Sequence, residues 1–149
     1  MKVKDIMDTS PDIIRTSDTF EHLIKILGEV KYHVILVVDE EGTLVGIITE
    51  GDIIKVLIPK YITVDESLIS VMDVNYFERK CMESKDLTIN EIMSKVTFMV
   101  NEDDPIIKAA ALIFVNKIQS VPVVRGKKVV GIVPRSILLK HITKILSEQ

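Results

Sequence analysis

Along this chain, apolar and polar positions alternate in short runs, shift to helical spacing, and then alternate again, and the whole succession occurs twice. In the first copy an extended stretch over Asp12–Arg15 leads into Phe20, Leu23, Ile24, Leu27 and Val30, whose intervals place them on one face of a helix. Two apolar runs follow, Val34–Val38 and Leu44–Thr49, joined by the turn Asp39-Glu40-Glu41-Gly42-Thr43, which reads as a hairpin. A helix starts near Gly51. In the second copy the extended stretch is Thr97–Val100. Asp104 is suited to cap the next helix and Pro105 to open it. Ala109–Leu112 then supports close packing on a sheet. The strands are Val121–Val124 and Val129–Val133, and the last helix starts near Arg135. The predicted order is β-α-β-β-α, twice.

The residues themselves repeat. Val45-Gly46-Ile47-Ile48 returns as Val130-Gly131-Ile132-Val133, and Asp5-Ile6-Met7 as Glu91-Ile92-Met93. Two copies with so long a period point to a duplicated unit with a pseudo-two-fold axis rather than a solenoid. The division this predicts is a first unit over 1–58, a helical connector over 59–87 and a second unit over 88–149. Pro59 stops the preceding helix. Asp65, Leu68, Ile69 and Met72 predict a connector helix that Tyr76, Phe77 and Met82 continue. Thr88-Ile89-Asn90-Glu91 has the form of a capping box and opens the second unit.

Composition narrows the function. Hydrophobic residues make up 47% and charged residues 28% of 149 residues, a globular balance. With no Trp and a formal charge of −3, the chain lacks the clustered basic surface that nucleic-acid binding requires. Cys81 stands alone, so neither an internal disulfide nor a multi-cysteine zinc site can form. His22, His33 and His141 are not at metal-ligand spacing. There is no apolar run long enough to span a membrane, and Met1–Asp5 is unlike a signal peptide, which together predict a cytoplasmic protein. No nucleophile with an aligned base and no phosphate-binding glycine loop with its lysine is present, so no enzymatic activity, catalytic residue, metal or required cofactor is expected.

The most informative residues are Thr49-Glu50-Gly51-Asp52, where a buried strand passes into a helix. Thr49 and Asp52 are suited to capping that helix. They are equally suited to a ligand: a carboxylate accepts from two neighbouring hydroxyls, Gly51 leaves room, and a helix N-terminus offers free N–H groups.

The order Asp-Ile-Met, Val-Val-Asp, a Gly turn, then Leu-Val-Gly-Ile-Ile-Thr-Glu-Gly-Asp-Ile resembles the CBS domain family, named after cystathionine β-synthase. The second half resembles it through Glu91-Ile92-Met93, Asp103-Asp104-Pro105, Val121–Val124 and Val130–Val133, so that the likeness runs from Val3 to about Ile145. The resemblance implies a mixed α+β fold, a stand-alone tandem of CBS repeats packed through their sheets into a Bateman module with two symmetry-related clefts. It also implies a regulatory role: binding AMP, ADP, ATP or S-adenosylmethionine and signalling to an effector protein through domain or homodimer arrangement. The alternative is a structural or dimerisation module without a ligand.

The family's ribose-binding run matches Gly46-Ile47-Ile48-Thr49-Glu50-Gly51-Asp52. The resemblance assigns Asp52 to the ribose hydroxyls and Thr49 to ribose or phosphate. Adenine then falls to the first strand of the other half, at Val96 and Thr97, and to Gln119, Ser120 and Val121 just before its second. In the second run Pro134 replaces Thr49 and Ile137 replaces Asp52, removing both polar partners. The cleft of Asp12, Ile13, His33, Val34, Pro134 and Arg135 is therefore expected to be empty, weak or altered.

Overall fold

The computed structural model describes residues 1–148; Gln149, the last residue assigned to the second unit, lies outside them. The first half comprises β1 (Ile13–Arg15), α1 (Phe20–Ile26), β2 (Val34–Val38), β3 (Leu44–Thr49) and α2 (Glu50–Leu57). The connector holds α3 (Lys60–Val64), a 3-10 segment Glu66–Val71 and α4 (Tyr76–Ser84). The second half comprises α5 (Ile89–Ile92), β4 (Ser94–Lys95), β5 (Val100–Asn101), α6 (Ile106–Asn116), β6 (Ser120–Arg125), β7 (Lys128–Pro134) and α7 (Arg135–Ser147). The mixed α+β architecture and both predicted hairpins are present.

Two sheets result. One has the order β1-β2-β3-β4 and the other β5-β6-β7. In each, the first strand is parallel to the second and the hairpin is antiparallel. The halves also exchange their opening segments. β4, from the second half, pairs with β3, with Ile47 opposite Ser94. Asp8, from the first half, bridges Ile132 of β7. The first core accordingly contains Ile89 beside Leu23, Ile35 and Ile48, and the second contains Val3 beside Val100, Val121 and Val133. A third cluster, Leu36, Leu44, Val124 and Ile132, joins the two sheets face to face.

The repeated glycines explain how the exchange fits. A Cβ on Gly46 would lie 2.5 Å from Met93 Sδ and 2.8 Å from the Ser94 carbonyl. A Cβ on Gly131 would lie 2.7 Å from Met7 Sδ and 2.8 Å from the Asp8 carbonyl. Only a residue without a side chain lets the crossing strand come so close.

Four local expectations are corrected. The first-half helix ends at Ile26, Leu27 falls in a 3-10 turn, Val30 is extended, and Ile24, expected on the apolar face, is exposed. Pro105, with ψ of 149°, is the residue before α6 rather than its first, and Asp104 accepts instead from the Asn101 N–H at 2.8 Å. The connector is no continuous helix: Asp65 accepts from the Ser67 N–H and Asp73 from the Asn75 N–H, local turns that compete with helical bonding. The stretch from Thr97 enters a ladder only at Val100, because β4 belongs to one sheet and β5 to the other. Residues 96–99 cross between them.

Candidate functional site

That crossing forms one wall of a cavity of about 370 Å³ between the two sheets. Its floor is apolar, with Leu36 and Ile47 from one sheet facing Pro122 and Ile132 from the other. Thr49, Glu50 and Gly51 approach from the start of α2, and Val96, Thr97 and Phe98 from the crossing segment. Lys117, Ile118, Gln119 and Ser120 come from the turn between α6 and β6. Lys117 closes α6 in the left-handed conformation, φ 54°, which turns the chain back toward β6.

Of the residues singled out from sequence, Ile47, Thr49, Gly51, Val96, Thr97, Gln119 and Ser120 are brought together on this cavity. Gly46, Asp52 and Val121 are not among its lining residues. Gly46 sits against Met93, and Val121 is buried in the second core. His33 and Val34, grouped by sequence with the weaker cleft, line the same cavity as Thr49.

Asp52 makes the capping box foreseen as one of its two readings, and a contact between the halves as well. Its Oδ2 accepts from the Thr49 N–H at 2.9 Å and from Thr49 Oγ1 at 3.0 Å, while its Oδ1 accepts from Ser94 Oγ at 2.6 Å. One carboxylate thus fixes the start of α2 and ties it to β4. Across the cavity, Ser120 Oγ is the single buried side-chain polar atom among the described residues with no hydrogen-bond partner. Such an atom carries a desolvation cost, and this one is closed off from the open space of the cavity.

His33 enters β2 with φ of 62°, a left-handed backbone uncommon outside glycine. Its Nδ1 lies 3.1 Å from Glu50 Oε1. With Lys117 these are the charged or chargeable groups on the cavity besides Tyr32. Glu50 and Lys117 were missed from sequence. Glu50 could have been found as the neighbour of Thr49, whereas Lys117 depends on a backbone turn that leaves no pattern.

By the pseudo-two-fold, Asp8 occupies the place of Ser94, and Ile137 that of Asp52. With no polar group at 137, Asp8 turns elsewhere. Its Oδ2 accepts from Tyr32 Oη at 2.5 Å and from Lys31 Nζ at 3.0 Å. Lys31 Nζ also donates to the Ser10 carbonyl, and the Lys31 N–H to Asp12 Oδ2 at 2.9 Å. The Tyr32 hydroxyl and the Ser10 N–H, with Lys31 beside them, hold the Asp8 carboxyl down to about 2. The same bond, with burial, pushes Tyr32 up to about 12. Asp12 is therefore engaged by Lys31. Ile13 is largely exposed on β1, and Pro134 lies in the β6–β7 ladder opposite Ser120. The Arg135 N–H donates to the Gln119 carbonyl at 2.9 Å. None of Asp12, Ile13, Pro134 and Arg135 lines the cavity.

Among the described residues no group of three His, Cys, Asp or Glu side chains could hold a metal ion, and no helix is long and apolar enough to cross a membrane.

Comparison with known proteins gives this arrangement a family. A CBS domain-containing protein of Dictyostelium discoideum is 27% identical over 145 residues, which is 97% of this chain and 92% of that one. Several other relatives are longer, and the chain spans only 21 to 32% of their lengths. The structure of a CBS domain-containing protein from Kribbella flavida superposes with a TM-score of 0.78 at 20% identity, covering 96% of this chain and 99% of that one. The CBS domain pair of protein MJ0100, solved in complex with 5′-methylthioadenosine and S-adenosyl-L-methionine, is 28% identical with a TM-score of 0.68, over 97% of each chain. The sequence model of the CBS domain matches twice, at residues 3–59 and 89–144, and the chain belongs to the CBS domain family.

Proposed function

We propose that this protein is a non-catalytic regulatory module that binds one adenosyl ligand per chain in the Thr49 cavity. The observation that carries the reading is a cavity of ligand size between two sheets, lined by Ile47, Thr49 and Gly51 from one half and by Val96, Thr97, Gln119 and Ser120 from the other. Val96, Thr97, Gln119 and Ser120 contact the adenine, with Ile47 against its face. Thr49 contacts the ribose. Asp52 lies outside the cavity lining and is reached by a ribose hydroxyl only when Ser94 gives up its bond, so that ligand entry loosens a contact between the halves. Ligand and Ser94 then compete for one carboxylate oxygen, which couples occupancy to domain arrangement.

The ligand class follows from charge. Glu50 stands at the start of α2, where a polyphosphate would otherwise meet the helix N-terminus. A neutral or cationic 5′ group suits that position better. The pair related at 28% identity was solved with a thioether and a sulfonium nucleoside, which supports the same choice. 5′-Methylthioadenosine and S-adenosylmethionine are thus preferred over ADP and ATP, with AMP between them.

The module works in the cytoplasm as a homodimer that signals to a separate effector protein. Phe114 on α6 is 84% exposed, with Leu139 at 64% and Leu146 at 68% on the adjacent α7, an apolar two-helix face that a second copy covers. Leu139→Glu then gives a monomer by sedimentation, where the native chain sediments as a dimer.

The test of binding is a thermal-shift panel of AMP, ADP, ATP, S-adenosylmethionine and 5′-methylthioadenosine. A ligand at 100 times its dissociation constant stabilises the fold by about 2.7 kcal/mol. Asp52→Asn, which keeps an acceptor for the Thr49 N–H, retains the fold and loses most of the shift. If no ligand shifts the native protein, the module is a dimerisation unit without a ligand.

A further inference from the structure

Beyond the His33–Glu50 pair lies a second cavity of about 360 Å³, on the helix side of the first sheet. Its walls are aliphatic: Leu27 and Val30 after α1, Ile35 and Ile48 from the sheet, and Ile53 and Ile54 from α2. His33, Thr49 and Glu50 line both cavities, which lie on opposite faces of the β2–β3 hairpin and adjoin at its end. The partition is slight. His33 and Glu50 side chains are 68% and 67% exposed, and an exposed pair of this kind is held by little and swings aside at small cost. Gly28 also lines the second chamber, and a Cβ built there meets no atom within 4 Å.

Resting on the adenosyl reading above, we propose that the second chamber takes an uncharged, apolar 5′ substituent of the ligand. Adenine contacts on the Val96 and Ser120 side and the ribose at Thr49 direct the 5′ carbon, on the far side of the sugar ring, toward Glu50 and His33. A substituent longer than methyl passes between them into the aliphatic chamber. The ligand class is a 5′-alkyl- or 5′-arylthioadenosine, whose thioether is neutral beside Glu50 and whose tail is apolar. A terminal charge on the tail gains nothing from the aliphatic walls and is disfavoured beside them.

The test is calorimetric titration of the full chain with 5′-methylthio-, 5′-ethylthio-, 5′-propylthio- and 5′-butylthioadenosine. Each methylene that enters the chamber tightens binding roughly fourfold, so the butyl compound binds tens of times more tightly than the methyl. In Gly28→Leu, which adds bulk at a residue lining the chamber, the gain with chain length falls. Methyl binding with an affinity that stays flat or falls as the tail grows overturns the second chamber and leaves the adenosyl reading intact. A gain that persists in full in Gly28→Leu overturns it too. Absence of binding by every compound overturns the adenosyl reading itself.

Discussion

The two clefts descend from one repeated unit, yet they spend their polar groups differently. In the Thr49 cleft, the residue crossing from the other half is Ser94, a small hydroxyl that bonds Asp52 and leaves a cavity beside it. In its counterpart the crossing residue is Asp8. It accepts from Tyr32 and Lys31, and Lys31 in turn engages Ser10 and Asp12. These polar groups are satisfied by one another, and Tyr32 among them also lines the Thr49 cavity. The difference lies in the carboxylates: Asp52 of the first motif bonds Ser94, whereas the second motif has Ile137 at that place and Asp8 is held by Tyr32 and Lys31 instead.

The features the clefts still share carry the largest expected effects. Gly46→Ala and Gly131→Ala each force a backbone carbonyl away from the new Cβ, and each lowers unfolding free energy by about 3 kcal/mol in denaturant titration. A large effect at one and none at the other would show that the exchanged segments are not equivalent.

Next is the acid limb of stability, which belongs to the Asp8 cleft. Its folded pKa is depressed from 3.8 to about 2, so its contribution is fully present above the unfolded value and is lost as pH falls through that interval. The contribution is about 2 kcal/mol. Asp8→Asn removes it, and the difference between native and variant stability shrinks from pH 5 toward pH 2. A difference constant over that range would contradict the bonding described for Asp8.

Ser120→Ala sharpens the contrast from the other side. Removing an unpaired buried hydroxyl that is closed off from the cavity leaves stability unchanged or slightly raised, and leaves the thermal shift given by an adenosyl ligand unchanged. A loss of stability in denaturant titration would show that the hydroxyl is bonded.

Much of this was legible in the sequence because it follows from periodicity. The strand pairs needed only alternation, helical spacing found the first-half helix but overran its end at Ile26, and Thr88-x-x-Glu91 announced its capping box. The matched run at Gly46–Asp52 pointed to Ile47, Thr49 and Gly51, which line the cavity between the sheets. What could not be read was which sheet each short segment joins. Val96 and Thr97 look like strand residues but bridge two sheets, and Val3 and Ile89 look local but fill each other's half. Tyr32 and Lys31 gave no signal because their partner, Asp8, lies more than 20 residues away and is brought near only by the exchange. Asp52 had two readings, a cap and a ligand group, and the capping bonds are formed.

The central claim is that one cleft binds and its counterpart does not. Isothermal titration of the native chain with 5′-methylthioadenosine, beside Thr49→Val, tests it most directly. The account predicts one ligand per chain and a loss of affinity of about tenfold or more in Thr49→Val. Two equivalent ligands per chain, or binding indifferent to Thr49, would contradict it.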